Sequence, residues 1–391
     1  MRRLSLPVAL VFAGSLGAQG HGHDHVHADG EHHHPAPDLW QLEDVLALDQ
    51  NRPSLLRRPR RVEGRSGSGP LKFEVGLTAE ALPAEVFEPN PHAQGDRPIL
   101  RFAHGGFAYD HREGHGDVYW FLQGAGILRV PRGADRVELV ETDETMLGLN
   151  MHNATFFEHE GEARIAWPAE GAGRVFVTDP AGQLLHTIGR PTVEQYAGDG
   201  RFAPTDTAYL DGRLWVTDGY GSRFVTAYDL GGEAWTSAVF GGHHGEPGIG
   251  RFGTNHGITV HRGLLWVSGR YFALIHSYRP TTEFASMFAL PAGSKPCDFE
   301  FFVLDDRLYG VAASLNVSAG AEGTGAAIYI VDMSTLEIVS TVRPKDELGL
   351  ENFVHLHNVF PVVEDGRVRL FCQAWNPGDF AVLEQVVGEG R

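Results

Sequence analysis

Histidine recurs at matching places along this chain of 391 residues. His152 stands in Met-His-Asn-Ala, His256 in Asn-His-Gly-Ile and His357 in Leu-His-Asn-Val, each at the opening of a strand-rich unit. Two intervening units open on an aspartate instead, Asp206 in Pro-Thr-Asp-Thr and Asp298 in Pro-Cys-Asp-Phe, and an earlier one opens on His104 in Ala-His-Gly-Gly. Neutral imidazole is the commonest protein ligand for zinc, and three such ligands leave a coordination position open, as catalytic zinc requires. His355 lies two residues before His357 and would share its face in a strand; it is a candidate fourth ligand, a candidate acid or base, or a rim residue. The competing account is that strand openings favour His and Asp for turn hydrogen bonds, and His104, Asp206 and Asp298 speak for it.

The elements that would carry these residues are short strands. From Leu71 onward each unit runs from an opening His or Asp through an apolar strand and an acidic or glycine turn to a second apolar strand. Thr205 to Leu210, the Asp211-Gly212 turn, then Leu214 to Asp218 show it best. Asp-Gly between apolar runs is the strongest short hairpin signal. Six openings at a spacing of roughly 40–60 residues match the blade repeat of a propeller. The fold class expected is all-β, a six-bladed β-propeller over residues 70–391. In a closed ring of six, the second, fourth and sixth blades lie a third of a turn apart, so their opening residues can converge on the axis. The last unit is one strand short. Leu71 to Leu77 alternates correctly to supply that strand and close the ring.

Composition bounds the rest. Forty-nine glycines suit many tight turns, and a net charge of −18 opposes nucleic-acid binding and adhesion to anionic membranes. Arg2 and Arg3 followed by the apolar run Leu4 to Leu16 read as an export signal over residues 1–19, so a secreted or periplasmic protein is expected. No later stretch approaches the ~20 apolar residues of a membrane helix. Residues 20–69 read as a disordered His-rich tail (His21 to His34) and linker, with a basic knot at Arg57, Arg58, Arg60 and Arg61 and a short helix around Leu39 to Leu48. Clustered imidazoles there would bind divalent metals loosely. The two cysteines, Cys297 and Cys372, are either a disulfide or two buried thiols. A monomer is expected.

Tyr220, after the second strand of the third unit, and Arg270, at the same place in the fourth, would hang over one mouth of the channel. A tyrosine beside a cation can serve as a base, and an arginine can grip a carboxylate at two points. The segment Pro204 to Tyr228, with Val-Thr-Asp-Gly-Tyr-Gly-Ser-Arg-Phe-Val, resembles an NHL-type blade and, more narrowly, the peptidyl-α-hydroxyglycine α-amidating lyase family. The run Pro247 to Phe252 before Asn255-His256-Gly257 resembles that family too. The resemblance implies a zinc ion on His152, His256 and His357, a catalytic Tyr220, a substrate-gripping Arg270, and cleavage of a hydroxyglycine substrate to an amide and glyoxylate. It departs at four places. Gln123 stands where the family has a second arginine. Asn358 replaces the aspartate that supports a structural calcium ion (Ca2+). His355 replaces a methionine, and Gly221 a disulfide cysteine. The alternatives are a non-catalytic propeller binding a metal or a partner, and a sugar-lactone hydrolase of propeller type. The latter's Glu, Asn and Asp calcium ligands fit an imidazole-rich channel poorly.

Overall fold

The computed structural model describes residues 64–88, 92, 98–198, 200–315 and 326–386. The export segment, the histidine tail, the helix at 39–48 and the basic knot lie outside the described residues. Within them the chain is six antiparallel sheets following one another in sequence. Blade 1 is built from Phe107–Tyr109, Val118–Leu122, Gly126–Val130 and Glu138–Leu139; blade 2 from Thr155–His159, Glu162–Ala169, Arg174–Thr178 and Leu184–Ile188. Blade 3 is Asp206–Leu210, Arg213–Thr217, Phe224–Asp229 and Ala234–Gly241; blade 4 is Asn255–His261, Leu264–Gly269, Leu274–Tyr278 and Phe284–Ala289. Blade 5 is Glu300–Leu304, Arg307–Leu315, Ile328–Asp332 and Glu337–Val342, with Lys295–Pro296 also paired to its second strand. Blade 6 is His355–Glu364, Arg367–Trp375 and Asp379–Gln385. The fold is a six-bladed β-propeller.

Two-residue turns set the blade register. Glu160-Gly161, Asp211-Gly212, Arg262-Gly263, Asp305-Asp306 and Asp365-Gly366 each join an inner strand to the second strand, with φ between 48° and 82° at both positions. Positive φ at both central residues is the type I′ signature, whose twist matches that of the strands.

The ring closes as the alternation of Leu71 to Leu77 predicts. Leu71–Thr78 pairs antiparallel with Asp379–Gln385 and becomes the fourth strand of blade 6. The propeller also starts earlier than residue 70. Ser66–Ser68 forms a hairpin with Leu71–Thr78, and Ser68 N donates to Ser340 Oγ at 2.9 Å, so the end of the expected linker is part of the sheet. Each boundary between neighbouring blades encloses its own apolar cluster. Leu71 and Phe73 join Phe302, Ile330 and Val359 between blades 5 and 6, while Leu77 joins Trp120, Leu128 and Phe371 between blades 6 and 1. The closing strand therefore packs into two cores. Cys297 and Cys372 are buried free thiols. Among the described residues no helix is long and apolar enough to cross a membrane.

Phe73 is fully buried in the closing strand. Phe73→Ala should cost about 3–5 kcal/mol of unfolding free energy, read from the denaturant midpoint at unchanged slope. A loss of only a few tenths would mean that this strand does not hold the ring shut.

Candidate metal centre

The residues at the axis are placed by irregularities in the inner strands. Asn255 pairs with Gly269 and Gly257 with Ser268, so His256 is the extra residue between them. The same slip falls on His357, between Leu356 opposite Ala374 and Asn358 opposite Gln373. In blade 2 Met151 faces Ala169 and Thr155 faces Ala166, four steps against three, with His152 inside the gap. In blade 5 Pro296 faces Ser314 and Glu300 faces Val311, again four against three, and the first residue in the gap is Cys297. A bulge leaves one residue out of the ladder and re-aims its side chain.

The rings gather accordingly. Centroids lie 4.5 Å apart for His152 and His256, 4.6 Å for His152 and His357, and 5.1 Å for His256 and His357. His104 of blade 1 joins them at 4.6 Å from His152 and 4.2 Å from His357. His152 Nδ1 donates to the Thr205 carbonyl at 2.8 Å, and His256 Nδ1 to the Cys297 carbonyl at 2.7 Å. A carbonyl only accepts, so both rings carry their proton on Nδ1 and keep a lone pair on Nε2. Outer hydrogen bonds of this kind fix the tautomer and orientation of metal-ligating histidines. His357 is different: it is 1% exposed, and neither of its ring nitrogens has a hydrogen-bond partner among the described residues. An unsatisfied buried polar group costs about 1–3 kcal/mol, and a cation is the partner that imidazole lone pairs lack here. These donors fit a borderline divalent ion.

Two sets of side chains bring ligand atoms within 4.8 Å of one another: His104, His152 and His357, and His256, Cys297 and His357. The expected trio is thus divided between two overlapping sets that share His357. Tyr220 stands against both of its other members, with its ring 5.2 Å from His152 and 5.4 Å from His256.

Tyr220 and Arg270 meet over the centre from equivalent loops, each just past the second strand of its blade. Arg270 Nη1 donates to Tyr220 Oη at 2.8 Å, and Tyr220 Oη donates to the free lone pair of His256 Nε2 at 3.0 Å. Arg270 Nη1 also reaches Cys297 Sγ at 3.9 Å. The guanidinium is buried, and the charged or ionisable neighbours that act on it are Tyr220 and Cys297 rather than a carboxylate. Burial pushes the Tyr220 phenol up to about 12 and the Cys297 thiol up to about 11, with Arg270 opposing both. Burial holds His256 and His357 well below the usual imidazole range; Arg270 adds to this at His256, and the neighbouring imidazoles do at His357. Both rings are therefore neutral, the state that binds a metal. The corresponding loop of blade 2 presents the buried Glu170. Asn150 Nδ2 bridges its Oε1 at 3.0 Å and His104 Nδ1 at 2.8 Å. Glu170 could have been found from the sequence by the position that singles out Tyr220 and Arg270.

The aspartates take a different place from the one their motifs predict. Thr205 and Cys297 occupy the histidine position in blades 3 and 5, and Asp206 and Asp298 follow one residue later, level with Asn153 and Asn358. Asp206 accepts from Thr207 N and Ile258 N, both at 2.7 Å. Asp298 accepts from Phe299 N at 2.6 Å and from Asn358 Nδ2 at 2.5 Å. Together they form a polar layer that clasps blades across the axis. Glycine permits the approach: a Cβ on Gly106 would lie 2.4 Å from Asn153 Oδ1, and one on Gly257 would lie 2.6 Å from the Cys297 carbonyl. Beyond the layer a cavity of about 500 Å3 opens between the inner strands, lined by Tyr109, Glu158, Tyr209, Glu300 and Phe360. His355 belongs to neither ligand set. It is buried 6.2 Å from Trp375, and burial, then Lys295 and Lys345, lower it to about 3. Gln123 Nε2 donates to the Gly148 carbonyl at 3.0 Å and so serves the neighbouring loop.

No known family's signature matches the chain, and no curated protein matches it in sequence. Solved structures resemble it at low identity. Raptor from Chaetomium thermophilum is 8% identical, with 85% of this chain and 30% of that one covered and a TM-score of 0.47. Virginiamycin B lyase from Staphylococcus aureus is 12% identical over 73% of this chain and 96% of that one, at 0.45. The nidogen/laminin complex gives 13%, 65%, 82% and 0.44.

Burial is the first cause raising both Asp206 and Asp298, and the Asp298 charge further raises Asp206; Asp298 is pushed up to about 6. A raised carboxylate binds its proton better in the folded chain. Its contribution is complete below the unfolded value and is lost as pH climbs through the folded one. Asp298→Asn should therefore flatten the fall in stability between about pH 4 and 7, by up to about 3 kcal/mol. Parallel stability curves for the two proteins, from urea unfolding at each pH, would contradict this.

Proposed function

We propose that this chain is an exported, metal-dependent carbon–nitrogen lyase of the peptidyl-α-hydroxyglycine type. Zinc is the ion proposed, and the substrate a small molecule or peptide that carries a carboxylate. The observation that carries the reading is His357, a buried imidazole with both nitrogens unsatisfied at the meeting point of three other imidazoles. The ion would be held by His152, His256 and His357, and when bound it would supply Lewis-acid polarisation of a substrate oxygen. The chain's own residues supply the rest. Arg270, a buried guanidinium with no carboxylate partner among the described residues, leaves donors for the substrate carboxylate after its bond to Tyr220. It also stabilises the tyrosinate, so Tyr220 Oη can take the substrate hydroxyl proton. As the carbon–nitrogen bond breaks, its electron pair leaves on the amide nitrogen. Tyr220 returns the proton there, giving an amide and glyoxylate. The positive pair Arg2 and Arg3 before the apolar run Leu4 to Leu16 supports export.

One observation favours a second reading. His104 packs against His152 and His357, and four imidazoles can close a coordination sphere, which suits a metal-holding protein without catalysis.

Glyoxylate release from an N-acyl α-hydroxyglycine, followed together with bound zinc, separates the two. On the lyase reading the wild type turns over, and Tyr220→Phe loses about 10²–10⁴ in kcat with its zinc retained. Zinc retained at the centre without turnover in the wild type selects the holding role.

A further inference from the structure

The side chain at the histidine position of blade 5 is a thiol. The strand irregularity that frees His152, His256 and His357 from their ladders recurs between Pro296 and Glu300, and Cys297 is its first residue. Its Sγ lies with ligand nitrogens of His256 and His357 in a set whose atoms are all within 4.8 Å of one another, and all three residues are buried. His357, 1% exposed and with neither nitrogen hydrogen-bonded among the described residues, gives that set a buried donor in need of a partner. Arg270 Nη1, 3.9 Å from the sulfur, supplies the positive charge that a buried thiolate needs beside it.

We infer that Cys297 is a metal ligand, and that the centre is a mixed nitrogen–sulfur site built by His256, Cys297 and His357. This rests on the reading that the centre holds a metal ion, and revises its ligand set by putting Cys297 in the place given to His152. A coordinating thiol is deprotonated outright, so binding releases the Sγ proton to solvent as the sulfur–metal bond forms. Thiolate with imidazole selects borderline and soft ions such as Zn2+, Co2+ and Cd2+, and discriminates against Mg2+ and Ca2+.

The full-length protein loaded with Co2+ provides the test, because its only thiols are Cys297 and Cys372 and the histidine tail has none. A sulfur-to-cobalt charge-transfer band in the near ultraviolet should appear with the first equivalent bound at the centre. It should vanish in Cys297→Ser and in Cys297→Ala, and survive in Cys372→Ala. X-ray absorption of the zinc form should show a sulfur shell at about 2.3 Å beside nitrogens at about 2.0–2.1 Å. Cobalt bound at the centre of the wild type without that band or shell would overturn the inference and leave an all-imidazole metal centre standing. Equal cobalt uptake by the wild type and by His357→Ala would overturn both.

Discussion

One antiparallel pairing holds the molecule in a ring: Leu71–Thr78 against Asp379–Gln385. Blades 1 and 6 are the ends of the polypeptide's β-structure, and nothing in their sequence order makes them neighbours. The pairing brings them together and lets Leu77 join Phe371 and Trp120 in one core. The centre depends on it directly, since His104 comes from blade 1 and His357 from blade 6, and their rings stand 4.2 Å apart. In an open arc those two residues would be separated by the whole circumference. A contact between strands at the rim thus decides whether imidazoles meet at the hub.

Concentrating neutral imidazoles, a phenol, a thiol and a guanidinium in a buried place works against the hydrophobic cores around it. The backbone meets part of this cost: carbonyls of Thr205 and Cys297 accept from His152 and His256. A chain of donors from Arg270 through Tyr220 to His256 meets more. Both ring nitrogens of His357 stay without a hydrogen-bond partner among the described residues, which is why it is the most informative residue of the centre.

The architecture was legible because its signals are local. Asp211-Gly212 and Asp365-Gly366 announce their hairpins by residue type, and Leu71 to Leu77 announces its pairing by alternation. Arg262-Gly263 and Asp305-Asp306 make the same turn with residue pairs that announce it less clearly. The meeting of His152, His256 and His357 was legible from repetition alone. Their division into two ligand sets was not, because it depends on how each ring is turned, which repetition does not specify. Nor was the place of Cys297. Aligning Asp206 and Asp298 with the histidines conceals a shift of one residue, and only the strand register reveals that Thr205 and Cys297 are the true counterparts. His355 was placed beside His357 by a period of two that the bulge at His357 interrupts.

The layer of Asn153, Asp206, Asp298 and Asn358 has a consequence for traffic along the axis. It works as a bulkhead. The imidazoles lie on one side and the 500 Å3 cavity on the other. The floor of that cavity is the layer itself, so what enters it meets Asn153, Asp206, Asp298 and Asn358 rather than the imidazoles.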